Sequence, residues 1–419
     1  MLEHYYKERR SLVDFRRGPL GPYFDGFAAY LKTRGYAHHR IKTILGRCCL
    51  FNTYLIDQGI TTCHRVTHSL IEPFLNLYQP GAQRRSHYVI WMDTQRAVKH
   101  FFAYLVSVGV LKPDRPKPVV TSYSWVLEPY LTSLREEGER TEQTLQRIRG
   151  QLSQFLDGLG VTVTRQYLKG LKAETFEAMV KQYLDTSPDN LRRLASTLRG
   201  FLQFCAQRRY TTMDFSSMIP RVLTYRLAAL PRGLEESDLQ RILAQIDRTS
   251  PVGCRDYAMM LLLMAYGIRG SQVAAIMLED ICWPRSTIRI RASKGGKEVV
   301  LPLLASVGEA ILGYLRHRPA CPCRQIFLAT HAPFRPVTGL SLSRQVRQYF
   351  QAAGVTMPRG GSRTLRHSWA IRALAHDIPM KAIADVLGHR DLNTSFIYAK
   401  ADLHTLRQVA SPWPEEVTP

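Results

Sequence analysis

Over much of the chain, apolar residues recur at spacings of three and four, the period of a helix with one buried face. Leu145, Ile148, Leu152, Phe155 and Leu156 form one such stripe, with Arg147 and Arg149 on the other side. In SPDNLRRLASTLRGFLQFC, Ser187 is placed to cap a helix and Pro188 to lie in its first turn, leaving Arg192, Arg193 and Arg199 outside the apolar stripe. The pattern also repeats. The stretch FAAYLKTRGYAHHRIKTILGRCCLFNTYL, from Phe27, matches YLTSLREEGERTEQTLQRIRGQLSQFL, from Tyr130, in its apolar spacing and in its central glycine, Gly35 against Gly138. Further on, VKHFFAYLVSVGV from Val98 echoes TLRGFLQFCAQRR from Thr197. Two small helical segments, offset by about a hundred residues, are predicted.

Beyond residue 231 the pattern changes. A helix is expected around 254–266, followed by STIRIRASKGGKEVVLPL, where Ile288 and Ile290 alternate with arginines before Gly295 and Gly296 mark a turn. That reads as a β-hairpin. Helices then return, one of them starting at Pro379–Met380 and stopping at Gly388. The expected fold is mostly α with a small β-sheet. LKPDRPKPVVTSYS at 111–124 and LPRGLEESDL at 230–239 read as linkers, dividing the chain into 1–112, 123–229 and 231–419.

Composition sharpens the picture. With 57 Lys and Arg against 34 Asp and Glu the formal net charge is +23, and the arginines are spread along the whole chain. Such a surface suits a polyanion, nucleic acid above all, and two basic helical surfaces suit a protein that wraps a duplex through its phosphates. A solvated charged face is the plain alternative for any one helix. The longest apolar run, YAMMLLLMAYGI at 257–268, is too short to cross a bilayer, and MLEHYYKERR lacks the apolar centre of a signal peptide. A soluble, intracellular protein without a membrane partner is expected. Eight cysteines fit apolar helical patterns rather than a disulfide framework. Cys321 and Cys323, near His317 and His331, lack a standard zinc spacing, so no metal is expected.

Four stretches of the last segment hold polar residues that a core does not need: Arg269 in YGIRGSQV, Lys294 in ASKGGKEVVLPL, Arg366 in RTLRHSWA, and His389 with Tyr398 in LGHRDLNTSFIYAK. Singly, each is an ordinary surface arginine, hairpin lysine or packed tyrosine. Their order and spacing resemble the tyrosine recombinase, or phage integrase, family. In that family an arginine box is followed by a hairpin lysine, then H-x-L-R-H, then L-G-H and a tyrosine nine residues on. The resemblance is strong over 231–400. It weakens to helical pattern over 123–229, which looks like the family's helical core-binding (SAM-like) domain. Over 1–112 it is weakest, suggesting a helical arm or a first core-binding-like domain.

The resemblance implies a site-specific DNA recombinase. Tyr398 would form a 3′-phosphotyrosyl link, Arg269 and Arg366 would hold the phosphate, Lys294 would protonate the departing 5′-oxygen, and His389 would hydrogen-bond the same phosphate. Guanidinium groups suit the task because they stay charged and donate in a planar fork. Energy is kept in the phosphotyrosyl bond, so no cofactor is needed. Two positions depart from the pattern: Arg363 stands where the family most often has histidine, and Gln272 where an acid is common. Arginine can donate to phosphate but cannot act as a base near neutral pH. The resemblance further implies double-stranded recombination sites, a homotetramer on two sites, accessory proteins, and a cytoplasmic, nucleoid-associated role in a bacterial mobile element. Two alternatives stay open: an accessory DNA-binding relative impaired through Arg363 and Gln272, and a type IB topoisomerase.

Overall fold

The computed structural model describes residues 1–77, 85–113, 121–138, 140–158, 161–174, 177, 188–219, 233–293, 297–357, 360–389, 395 and 398. They fall into two compact units, Met1–Pro113 together with Leu227–Pro419, and Asp114–Arg226. Lys294, the Gly295–Gly296 turn, Ser187 and the stretch after Tyr398 lie outside the described residues.

The N-terminal part of the first unit is helical: α1 (Arg9–Arg16), α2 (Phe24–Thr33), α3 (His38–Asp57), α4 (Ile71–Leu77) and α5 (Arg85–Ser107). Its core is aromatic. Phe24, Phe27, Phe51, Phe74, Phe101 and Phe102 are all buried, and Phe24 and Phe27 pack on Phe101 with ring centroids 5.0 and 4.5 Å apart. Phe51 anchors α3 to α4 and α5 through Phe74 and Phe102.

The second unit contains α6 (Ser124–Glu136), α7 (Glu142–Asp157), α8 (Arg165–Lys169) and α9 (Pro188–Gln207). Thr141 caps α7 by accepting from the Thr144 N–H, and Leu145, Ile148, Leu152, Phe155 and Leu156 all face inward, as their spacing predicts. The repeat read from sequence is present in the backbone. Gly35 follows α2 and Gly138 follows α6, each left-handed, with φ of +78° and +74°. Gly109 and Arg209 occupy the same conformation after α5 and α9. Of the arginines expected on this unit's surface, Arg192 and Arg193 are exposed, and Arg147 donates to Gln151 at 3.0 Å. Arg149 is tied to the Glu128 carboxylate, and Arg199 reaches the Ile219 carbonyl at 3.2 Å.

The C-terminal part of the first unit holds α10 (Glu236–Ala244), α11 (Pro251–Tyr266), α12 (Gly270–Ala275), strands β1 (Ile281–Cys282), β2 (Thr287–Ile290) and β3 (Val299–Pro302), then α13 (Ala305–Leu315), α14 (Gly339–Ala352), α15 (Ser362–Ala375) and α16 (Met380–Val386). The strands form one antiparallel sheet in the order β1-β2-β3, with Ile288 opposite Leu301 and Ile290 opposite Val299. The isoleucines enter the core, while Arg289 and Arg291 both reach the buried carboxylate of Asp280. α11 is the central helix. Ser250 caps it, Pro251 opens its first turn, and it is buried on nearly every side between α13 and α15.

Among the described residues no helix is long and apolar enough to cross a membrane, and no three potential metal ligands gather. The Cys321 thiol donates instead to the Phe334 carbonyl and accepts from the Cys323 N–H.

Candidate active site

The last turn of a helix leaves carbonyl groups with no partner inside the helix. At the end of α11 these are met by α15, whose side chains at 366, 369 and 372 emerge one turn apart. Arg372 donates to the Met264 carbonyl at 3.0 Å, Trp369 Nε1 to Ala265 at 2.8 Å, and Arg366 Nη1 to Gly267 at 3.1 Å. Gly267 is left-handed, with φ of +61°, and a Cβ there would stand 2.8 Å from the Trp369 ring, so only glycine fits. The turn is thereby fixed, and two residues later the chain delivers Arg269.

Arg269 precedes α12, and its backbone N–H donates to Gln272 Oε1 at 3.1 Å, while Gln272 Nε2 donates to the Arg291 carbonyl at the end of β2, also at 3.1 Å. The amide thus joins the turn carrying Arg269 to the strand that leads toward Lys294. A carboxylate could make only the first of these bonds. Nη1 of Arg269 is buried and without a partner among the described residues.

Arg366 is 6% exposed. Besides Gly267, its Nη2 donates to the Leu387 carbonyl at 2.9 Å and lies 2.7 Å from His389 Nε2. None of these partners carries negative charge. Burial, followed by the nearby Arg269, pushes the Arg366 guanidinium down to about 10, which still leaves it charged at neutral pH. His389 reaches it because Gly388 turns left-handed after α16, with φ of +62°. Since Nε2 accepts from Arg366, Nδ1 must carry the proton, and it lies 2.6 Å from the Ser395 hydroxyl. His389 is held at about 4, by burial first and then by Arg366 and Arg269.

Tyr398 answers to both readings of its sequence context. Its ring is 2% exposed and packs with Ala370, Ala373, Ile383 and Leu387. Its hydroxyl lies close enough to the Arg366 guanidinium, and to Arg363 and Arg269, to feel their charge. Burial raises the phenol above its ordinary range, and the guanidinium groups oppose that rise. Arg363, on the exposed side of α15, donates from Nε to His367 Nε2 at 3.2 Å, and the His367 ring lies 5.4 Å from that of Tyr398.

Five of the six candidate residues, Arg269, Arg363, Arg366, His389 and Tyr398, are thus brought to one place by α12, α15 and the stretch after α16; the sixth, Lys294, is among the residues not described. Sequence reading missed Trp369 and Arg372, which hold the Arg269 turn. It also missed His367 and Ser395, which contact Arg363 and His389. His367 does stand in the quoted motif, as the last residue of H-x-L-R-H, whereas chain position alone gives no signal for the other three.

Comparison with known proteins bears on the same segment. The profile of the Phage integrase family matches residues 232–404. A putative integrase/recombinase of Sinorhizobium fredii, y4rA, is 32% identical over 95% of this chain and 96% of its own length. Tyrosine recombinase XerD of Shewanella oneidensis is 28% identical over 68% of this chain and 96% of its own. Among solved structures, a lambda integrase dimer bound to a COC′ core site shares the fold with a TM-score of 0.53 at 17% identity, over 70% of this chain and 99% of that one. The XerH recombinase bound to a palindromic difH substrate, in a post-cleavage complex, gives 0.52 at 18% identity, over 70% and 96%. The likeness of y4rA along almost the whole chain, together with the match at 232–404, makes this chain a member of the tyrosine recombinase, or phage integrase, family.

Proposed function

We propose that the chain cuts and rejoins double-stranded DNA at specific sites, with Tyr398 as nucleophile. The phenol oxygen bonds to the scissile phosphorus while the bond from phosphorus to the 5′-oxygen breaks. The products are a 3′-phosphotyrosyl link and a free 5′-hydroxyl. The phenol gives up its proton, and Lys294 supplies one to the departing oxygen. Attack by the 5′-hydroxyl of another strand reverses the sequence and releases the tyrosine. Arg269 and Arg366 bind the non-bridging oxygens, where donors aimed at developing charge usually contribute most. His389 and Arg363 complete the phosphate's surroundings.

The observation carrying this reading is the buried Tyr398 hydroxyl beside Arg366, whose protein partners are all neutral. A scissile phosphate is the anion that the pocket lacks. Four subunits on two sites, Asp114–Arg226 bound to the duplex through Arg192 and Arg193, and service to a bacterial mobile element belong to the same proposal.

A nicked suicide duplex carrying the authentic site tests it. A denaturation-resistant adduct is expected with the native chain and none with Tyr398→Phe. No adduct with either would favour an accessory DNA-binding role, while relaxation of plasmids lacking the site would favour a topoisomerase.

A further inference from the structure

Arg363 is exposed in the first turn of α15, where the torsions of its stem leave the guanidinium many positions unless something holds it. Arg366, three residues on, is fixed by its bonds to Gly267, Leu387 and His389. For Arg363 the hold comes from the next turn of its own helix. His367 stands four residues along on the same face, and Arg363 Nε donates to its Nε2 at 3.2 Å. No other hydrogen-bond partner of Arg363 is found among the described residues. Because the bond uses Nε, the nitrogen within the stem, both Nη groups keep their hydrogens for an anion.

The imidazole is itself held. Its ring lies 5.4 Å from that of Tyr398, and Nδ1 is buried without a partner among the described residues. Burial, then Arg363 and Arg366, keeps His367 at about 4, so at neutral pH the ring is uncharged and Nε2 can accept. The proton is then on Nδ1, a buried donor with nothing to bond. A leucine would pack against Tyr398 without that cost. A histidine here is explained by what Nε2 does, and what it does is fix a cation whose charge reaches both Tyr398 and Arg366.

We propose that His367 is a positioning residue for strand exchange: through Nε2 it holds Arg363 beside Tyr398 with the two Nη groups free for the scissile phosphate. It moves no proton and acts only through Arg363. This role rests on the reading of the site as the place where the phosphotyrosyl link forms, and deepens it by assigning a residue that touches no reacting atom.

A double-mutant cycle on the full chain, read as single-turnover adduct formation on the suicide duplex, tests the assignment. His367→Leu should slow the adduct about tenfold or more, because a donor misplaced by about 1 Å loses much of its effect. Affinity for the same duplex should stay within about twofold. His367→Gln, whose side-chain oxygen reaches as far as Nε2, should bring the rate back to within about threefold of native. In Arg363→Ala, slower from the start, adding His367→Leu should cost less than about twofold. An equal loss in both backgrounds would mean that the ring serves Tyr398 by packing, and would overturn the assignment. So would a Gln variant no faster than the Leu variant, or a Leu variant at the native rate. Absence of adduct from the native chain would instead overturn the proposed function, and this role with it.

Discussion

Arg255 and Arg366 lie in the same part of the fold and are almost equally hidden, at 2% and 6% exposure. Their surroundings are opposite. Arg255 donates from Nε and Nη2 to Asp256, at 2.8 and 2.6 Å, and from Nη1 to the Leu328 carbonyl, while Tyr349 donates its hydroxyl to the other Asp256 oxygen. Arg366 has two carbonyls and a neutral imidazole, with the Tyr398 phenol nearby. A buried cation that serves the fold brings its counterion with it. One proposed to serve a substrate, as Arg366 is, has that place open, and the protein carries the electrostatic cost.

Removing each arginine separates the two cases. Arg255→Met leaves the Asp256 carboxylate buried and unpaired, and should cost about 3–5 kcal/mol of unfolding free energy. Each folded molecule should still form adduct at the native rate. Replacing the whole group, with Arg255→Met, Asp256→Leu and Tyr349→Phe together, should return stability to near the native value, because well-packed apolar residues commonly match a buried ion pair. Denaturant titration of both variants decides the matter. A triple variant as unstable as the single one would show that the pair itself, and not an orphaned charge, holds the fold.

Arg366→Met should do the reverse. Adduct formation on the suicide duplex should fall by about 10²–10³-fold, the usual loss when one donor to a developing oxyanion is removed. Stability should fall less than in Arg255→Met, since an uncompensated buried charge is gone and only the Gly267 and Leu387 carbonyls lose a donor. Arg366→Lys should recover little activity, because an ammonium cannot reproduce the planar fork. Should Arg366→Met prove as unstable as Arg255→Met, the distinction between the two arginines would be lost.

Much of this was legible beforehand. The stripe from Leu145 to Leu156 and the alternation at Ile288 and Ile290 each fixed an element, because burial on one face imposes a period that any reader of the chain can count. β1 was not legible, since two residues, Ile281 and Cys282, are too few to show a period. The candidate site residues were chosen through their order along the chain and not through any property of one of them. What escaped was the support. Trp369 and Arg372 meet carbonyls more than a hundred positions away, and no local pattern announces such a partner. Arg149 is a surface cation, as read, but its pairing with Glu128 in the neighbouring helix α6 could not be counted from the chain.

Gln272 allows the comparison to be sharpened. As an amide it holds Arg269 and Arg291 together without placing charge in the pocket. Gln272→Glu would move Arg269 toward the condition of Arg255, with a built-in carboxylate, and would leave the Arg291 carbonyl facing an oxygen instead of a donor. Adduct formation should slow by about fivefold, consistent with losing one hydrogen bond of about 1 kcal/mol. Native rates in Gln272→Glu would mean that the link to β2 does not matter.

A pH dependence of stability belongs chiefly to the open side of the comparison. Burial and then the neighbouring arginines hold His367 and His389 at about 4, against an ordinary 6.5. Unfolded, both rings take a proton near 6.5; folded, both resist until the pH is far lower. The stability that comes from keeping them neutral is therefore complete above about 6.5 and is lost as the pH falls toward 4. Most carboxylates titrate below about 5, so between pH 7 and 5 the histidines set the slope. His100, also depressed by burial, adds a share that lies outside the site. The denaturant midpoint of the native chain should drop between pH 7 and 5, and the drop should be smaller in His367→Gln with His389→Gln. An equal drop in both proteins would place the sensitivity elsewhere, and the cationic pocket would then not be what keeps these two rings neutral.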